Sequence, residues 1–135
     1  MSKLSVFLNP ISTDETKEIV ISKRFVDENG EPVPFVIRAL RQEEVDEITK
    51  KCTKRVKMDG RVVEQLDSVA FTRAYIVAGT VEPDFSNSDL CKHYGVLDPD
   101  LLPSKMLLNG EFTKLSNAIM ELSGGGITPE EEVKN

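Results

Sequence analysis

Tryptophan is absent from this chain, histidine occurs once and cysteine twice. Each scarcity removes a class of function. A tetrahedral zinc site draws its ligands mainly from cysteine and histidine, and no second cluster accompanies Cys91 and His93 to complete one. Two residues apart on a helix, those two side chains point to different faces and do not converge as nucleophile and base. Cys52 and Cys91 fit no disulfide framework and read as free thiols in a reducing cytoplasm. Glycine-rich phosphate cradles precede a helix, whereas Gly124-Gly125-Gly126 follows a helical pattern. The carboxylates Asp98, Asp100 and Glu130-Glu131-Glu132 read as helix-start and solvated charges. No catalytic, metal or cofactor-binding residue is therefore assigned, and an enzyme is not expected.

Two other things are missing. No apolar run approaches the roughly 20 residues that a membrane helix needs. The stretch over 4–8 is too short and too interrupted by polar residues for a signal peptide. Basic residues are outnumbered 17 to 23, giving a formal charge of −6. Because phosphate backbones are held mainly by lysine and arginine, that balance argues against a dedicated nucleic-acid binder. The one basic run (Lys50, Lys51, Lys54, Arg55, Lys57) lacks the interleaved aromatics that stack on single strands. It reads as a cation-stabilised helix end leading into a solvated hairpin.

What is present is an ordinary globular composition, 39% hydrophobic and 30% charged over 135 residues. That length suits one domain with a real core. The predicted fold class is α+β: an N-terminal antiparallel β-hairpin over about 16–40, packed on a mainly α-helical part over 41–123. A flexible, disordered tail is expected over 124–135. Strands are read at 18–22 and 35–40, with Asn29-Gly30 supplying the positive φ angles of a turn. Pro32 and Pro34, which cannot donate ladder bonds, place the returning strand at an edge or delay its start.

At Arg41 the period changes from two to 3.6. Val45, Ile48 and Cys52 form a helical stripe over 41–54, with Glu43 and Glu44 early and lysines late. Asp59-Gly60 marks a possible short hairpin over 55–65. Asp67 caps a helix over 67–78 that is apolar nearly all round, which predicts a central core element, and Gly79 ends it. Ser88 is read as the cap of a short helix through Tyr94, closed by Gly95. Asp98-Pro99 looks like another helix start. Pro103 either breaks that segment or begins a new helix leading to Leu108. Asn109-Gly110 is read as a turn before a helix over 111–123 with the stripe Phe112, Leu115, Ile119 and Leu122.

Most apolar stripes belong to a core. The density of Leu101-Leu102, Met106-Leu107-Leu108 and Phe112 beside two interruptions marks a candidate contact surface. Leu107, Leu108, Phe112 and Leu115 are the candidate partner-binding residues.

The order of certain fragments adds a resemblance. They are Phe35-Val36-Ile37-Arg38-Ala39-Leu40 before Glu43-Glu44, and Lys50-Lys51-Cys52-Thr53-Lys54. Val81-Glu82-Pro83-Asp84, His93-Tyr94-Gly95-Val96 and Met106-Leu107-Leu108-Asn109-Gly110-Glu111-Phe112 follow. Across about 1–123 the chain resembles the XkdN-like tail assembly chaperones of tailed phages and defective prophages of the PBSX and skin type. That resemblance implies a cytoplasmic assembly factor that leaves the mature particle. It would bind the hydrophobic tape measure protein, help recruit tail tube subunits, and form a possible homo-oligomer. It also implies a longer frameshifted form. The alternatives are a structural tail or connector subunit and, behind it, a small DNA-binding regulator acting through Lys50 to Arg61.

Overall fold

A computed structural model of the chain describes residues 3–11 and 16–125. The α+β class holds. Strand β1 (Thr16–Ile19) pairs antiparallel with β2 (Phe35–Arg38), from Thr16 opposite Arg38 to Ile19 opposite Phe35. The first strand thus lies two residues earlier than the expected 18–22. Alternation alone does not fix a strand's limits, and here Ile21 and Ser22 are buried after leaving the ladder.

Asn29-Gly30 does form a turn, with Gly30 at φ +77° and its N–H donating to the Asp27 carbonyl at 3.0 Å. The Asp27 carboxylate accepts from the backbone N–H groups of Asn29 and Glu31. That turn closes a small bridge between Val26 and Pro32 and not the β1–β2 ladder. Residues 20–34 are therefore an excursion from the sheet.

The two prolines delay β2, which starts at Phe35, but do not put it at an edge. A third strand, β3 (Thr80–Glu82), unforeseen from the sequence, pairs along its other side. β2 is central, with Phe35 and Ile37 buried.

Helix α1 (Lys3–Leu8) was likewise unforeseen. Helix α2 (Gln42–Lys51) is shorter than the expected 41–54, because Thr53 already begins a two-stranded ribbon. That ribbon pairs β4 (Thr53–Met58) with β5 (Arg61–Leu66), a little longer than anticipated. Asp59 and Gly60 make its turn at φ +52° and +77°, as the sequence indicates. Helix α3 (Ser68–Gly79) starts at Asp67, whose carboxylate accepts from the Ala70 N–H at 3.1 Å. Ala74, Tyr75 and Ile76 bury its central turns. Gly79 belongs to the helix; a Cβ there would lie 2.5 Å from Ile119 Cγ2. Glycine lets α3 approach the last helix closely.

Helix α4 (Ser88–His93) is capped by Asn87, not Ser88: the Asn87 side chain accepts from the Leu90 N–H at 3.0 Å. Gly95 follows at φ +71°. Asp98 caps a single 3-10 turn (Pro99–Leu101), and Pro103 then sits in the first turn of a separate helix, α5 (Leu102–Met106). The second reading of Pro103 is the one observed. Asn109-Gly110 is not a turn but the opening of α6 (Asn109–Leu122). Glycine is tolerated there because the first turn makes few internal hydrogen bonds. Leu115 and Ile119 are fully buried on the expected stripe.

The main core joins β2, α3, α5 and α6 through Phe35, Ile37, Ile76, Leu102, Leu115 and Ile119. A smaller cluster of Ile48, Cys52 and Ala74 fixes α2 on α3. Apart from Gly124 and Gly125, the expected tail over 124–135 lies outside the described residues.

Candidate functional site

The two thiols are both buried. The Cys91 thiol donates to the Phe85 carbonyl at 3.2 Å. Burial pushes the Cys52 thiol up from its ordinary range. His93 is exposed, with its ring edge-on to Tyr94 at 4.9 Å. Cys91 and His93 therefore face opposite environments. Among the described residues no group of three or more histidine, cysteine or carboxylate side chains is placed to hold a metal ion. No described helix is long and apolar enough to cross a membrane.

The apolar surface is more informative. Of the four candidate contact residues, Leu107 and Leu115 are buried, Phe112 is half-buried against the core, and Leu108 is exposed. The structure does not bring the four onto one surface. Leu107 and Leu108 form the link between α5 and α6, and both are extended (φ −102°, ψ 145° and φ −73°, ψ 158°), so their side chains point to opposite sides. Exposed Leu101, Leu97 and Leu108 come from the same part of the chain.

Two apolar surfaces escaped the sequence reading. Helix α1 contains no buried residue, and Val6, Phe7 and Leu8 are exposed together with Ile11 beyond it. A stretch of large apolar residues at the chain start, tested only as a leader, was the missed signal. On the ribbon no residue of β4 or β5 is buried, and Met58, Val62 and Leu66 are open to solvent. An isolated two-stranded ribbon is marginal in water, and this one is tied to the body at its base by the Lys54–Asp67 pair and by the Asp67 N–H donating to the Cys52 carbonyl at 2.9 Å.

A cleft of about 540 Å³ opens between the excursion, the end of β3 and α5. Its apolar lining includes Phe25, Val26, Val33, Phe35, Pro83 and Met106. Phe25 and Phe35 pack with ring centroids 5.9 Å apart. Arg24 lies on the wall, its guanidinium 4.9 Å above the Phe25 ring. It also donates to the Met106 carbonyl at 3.1 Å and binds Glu111 bidentately. That guanidinium holds the Glu111 carboxyl down at about 2, helped by Ser22 and by the Leu108 N–H, against burial acting upward. In turn Glu111 raises Arg24. The pair fastens the excursion to the start of α6 and so fixes one wall of the cleft.

A second bidentate pair joins Arg38 to Glu44, whose carboxylate also accepts from the Arg41 N–H at 3.2 Å. Glu44 thereby satisfies the α2 terminus that Arg41 caps with no side-chain bond. The two charge pairs thus fix the excursion on α6 and the start of α2 on β2, while Leu97, Leu101 and Leu108 face solvent.

The comparisons with known proteins define the class of protein to which this fold and surface belong. The model of the phage XkdN-like tail assembly chaperone proteins matches residues 4–135. The chain belongs to this family of phage tail assembly chaperones. It is 37% identical over 123 residues to the phage-like element PBSX protein XkdN of Bacillus subtilis, covering 87% of this chain and 82% of that protein. It is 39% identical, with the same coverage, to the uncharacterized protein YqbN of the same organism. The crystal structure of YqbN superposes with a TM-score of 0.77 at 32% identity, covering 93% of this chain and 99% of that one.

Proposed function

We propose that this tail assembly chaperone binds the tape measure protein of its own phage or prophage, keeps it from aggregating, and helps tail tube subunits gather around it. The observation that carries the reading is solvent exposure of apolar side chains on α1 and at the α5–α6 corner, where Leu108 stands open. A long helical apolar client needs apolar surface presented by many small modules, and amphipathic helices dock in such surfaces through spaced anchors. A negative net charge keeps such a complex dispersed. The role is one of binding in the bacterial cytoplasm, with no catalytic step.

Co-expression with the tape measure protein encoded alongside it tests this reading. The expected result is a soluble complex that co-purifies and is weakened by Leu108→Asp. An equally insoluble client with no complex overturns it.

A further inference from the structure

The charges of this chain are segregated. Between 50 and 61 stand Lys50, Lys51, Lys54, Arg55, Lys57 and Arg61 against the single acid Asp59, in a chain whose net charge is −6. The remainder is therefore strongly acidic. Lys51 is paired with Asp100 and Lys54 with Asp67. Lys57 and Arg61, near the ribbon tip, form no salt bridge among the described residues. Met58 pairs with Arg61 and Lys57 with Val62 across the ribbon, and each pair shares a face. Each face of the tip thus offers one large exposed apolar side chain beside one cation.

The cleft beneath the excursion is the complement. Its floor is apolar, Glu82 lies on its lip, and the exposed carboxylates Asp27, Glu28 and Glu31 stand on the turn next to Val26. The cation on its wall, Arg24, is already neutralised by Glu111. No ribbon residue lines this cleft within the same chain.

We infer that the β4–β5 ribbon of one copy inserts its Met58–Arg61 tip into the excursion cleft of a second copy, with Lys57 and Arg61 against Glu82 and the Asp27–Glu31 turn. Pairing two ribbons along their β4 edges would set Lys54, Arg55 and Lys57 against like charges, and pairing along either edge leaves the cleft open. Nucleic acid would meet an acidic body behind the same cations. Ribbon and cleft are different patches, so the contact is head-to-tail. Such contacts close into rings or continue as open chains of subunits. This inference stands independently of which client the family member carries.

A charge swap on the full chain provides the test, read by sedimentation velocity across a concentration series. The wild-type chain should grow in mass with concentration, and less so as salt is raised. The ribbon variant Lys57→Glu/Arg61→Glu and the cleft variant Glu28→Lys/Glu82→Lys should each associate at least about tenfold more weakly. Their equimolar mixture should associate again, because each reversed ribbon then faces a reversed cleft. Since all four positions are exposed, circular dichroism should show both variants folded. Met58→Ala gives an uncharged check and should also weaken association. The inference is overturned by a wild-type chain that stays monomeric, by single variants that associate normally, or by a mixture that fails to recover. It is equally overturned if deletion of α1 alone abolishes association, or if the ribbon cations serve only to bind duplex DNA.

Discussion

Glu111 accepts from the Leu108 backbone N–H at 2.8 Å while pairing with Arg24, so one carboxylate closes the first turn of α6 and anchors the excursion. Its carboxyl lies at about 2, below its ordinary 4.5. For a depressed acid, the stabilisation is fully present above the ordinary value and fades as pH falls toward the folded one. The window here runs from about 4.5 down to about 2. Glu111→Gln keeps the shape but loses the charge, and the half-exposed Arg24 limits what the pair contributes. We expect a loss of about 1 to 2 kcal/mol at pH 7 from the weakened cap and pair together. Urea titrations at pH 7 and pH 3 would check it: the gap between wild type and variant should shrink at the lower pH. A gap that is constant with pH would show that the carboxylate's charge plays no part.

At the scale of elements, α4 gives the sharpest test of local reasoning. Both Asn87 and Ser88 are capping residue types, and only the geometry distinguishes them. Asn87 is extended at φ −63°, ψ 123°, and its side chain reaches the Leu90 N–H. Asn87→Ala should cost about 1 kcal/mol, while Ser88→Ala should stay within about 0.5 kcal/mol. Thermal melts of the two variants would reverse the assignment if Ser88→Ala proved the costlier. The same distinction explains what was legible beforehand. Asp67, Asp59-Gly60 and the Phe112–Leu122 stripe announced themselves because each signal is local. β3 did not, since three residues become a strand only when β2 stands beside them. Asn109-Gly110 misled because a turn signal and a helix opening share the same residues, and Glu111 decided in favour of the helix. Leu107 and Leu115 went into the core for a related reason: helical periodicity identifies an apolar face but not whether a neighbour already covers it.

The molecule as a whole divides its apolar residues between two tasks. Those on β2, α3, α5 and α6 make the core, whereas those on α1, the ribbon tip and the α5–α6 corner meet solvent. Helix α1 has no buried residue, so its removal should leave the folded body intact. Deleting residues 1–11 should shift the melting midpoint by no more than about 2 °C, since surface changes rarely exceed 0.5 kcal/mol. The same deletion should reduce the amount of tape measure protein recovered in soluble complex, because Val6, Phe7, Leu8 and Ile11 go with it. Parallel melting curves and co-purification from the truncated and complete chains separate the two effects. A large fall in the midpoint would make α1 part of the structural core. An unchanged midpoint with undiminished client recovery would shift the binding role to Leu108 and its neighbours on the α5–α6 corner. Only stable folding combined with lost client marks the first helix as a contact arm, and that combination is what exposed leucine and phenylalanine on an uncovered helix predict.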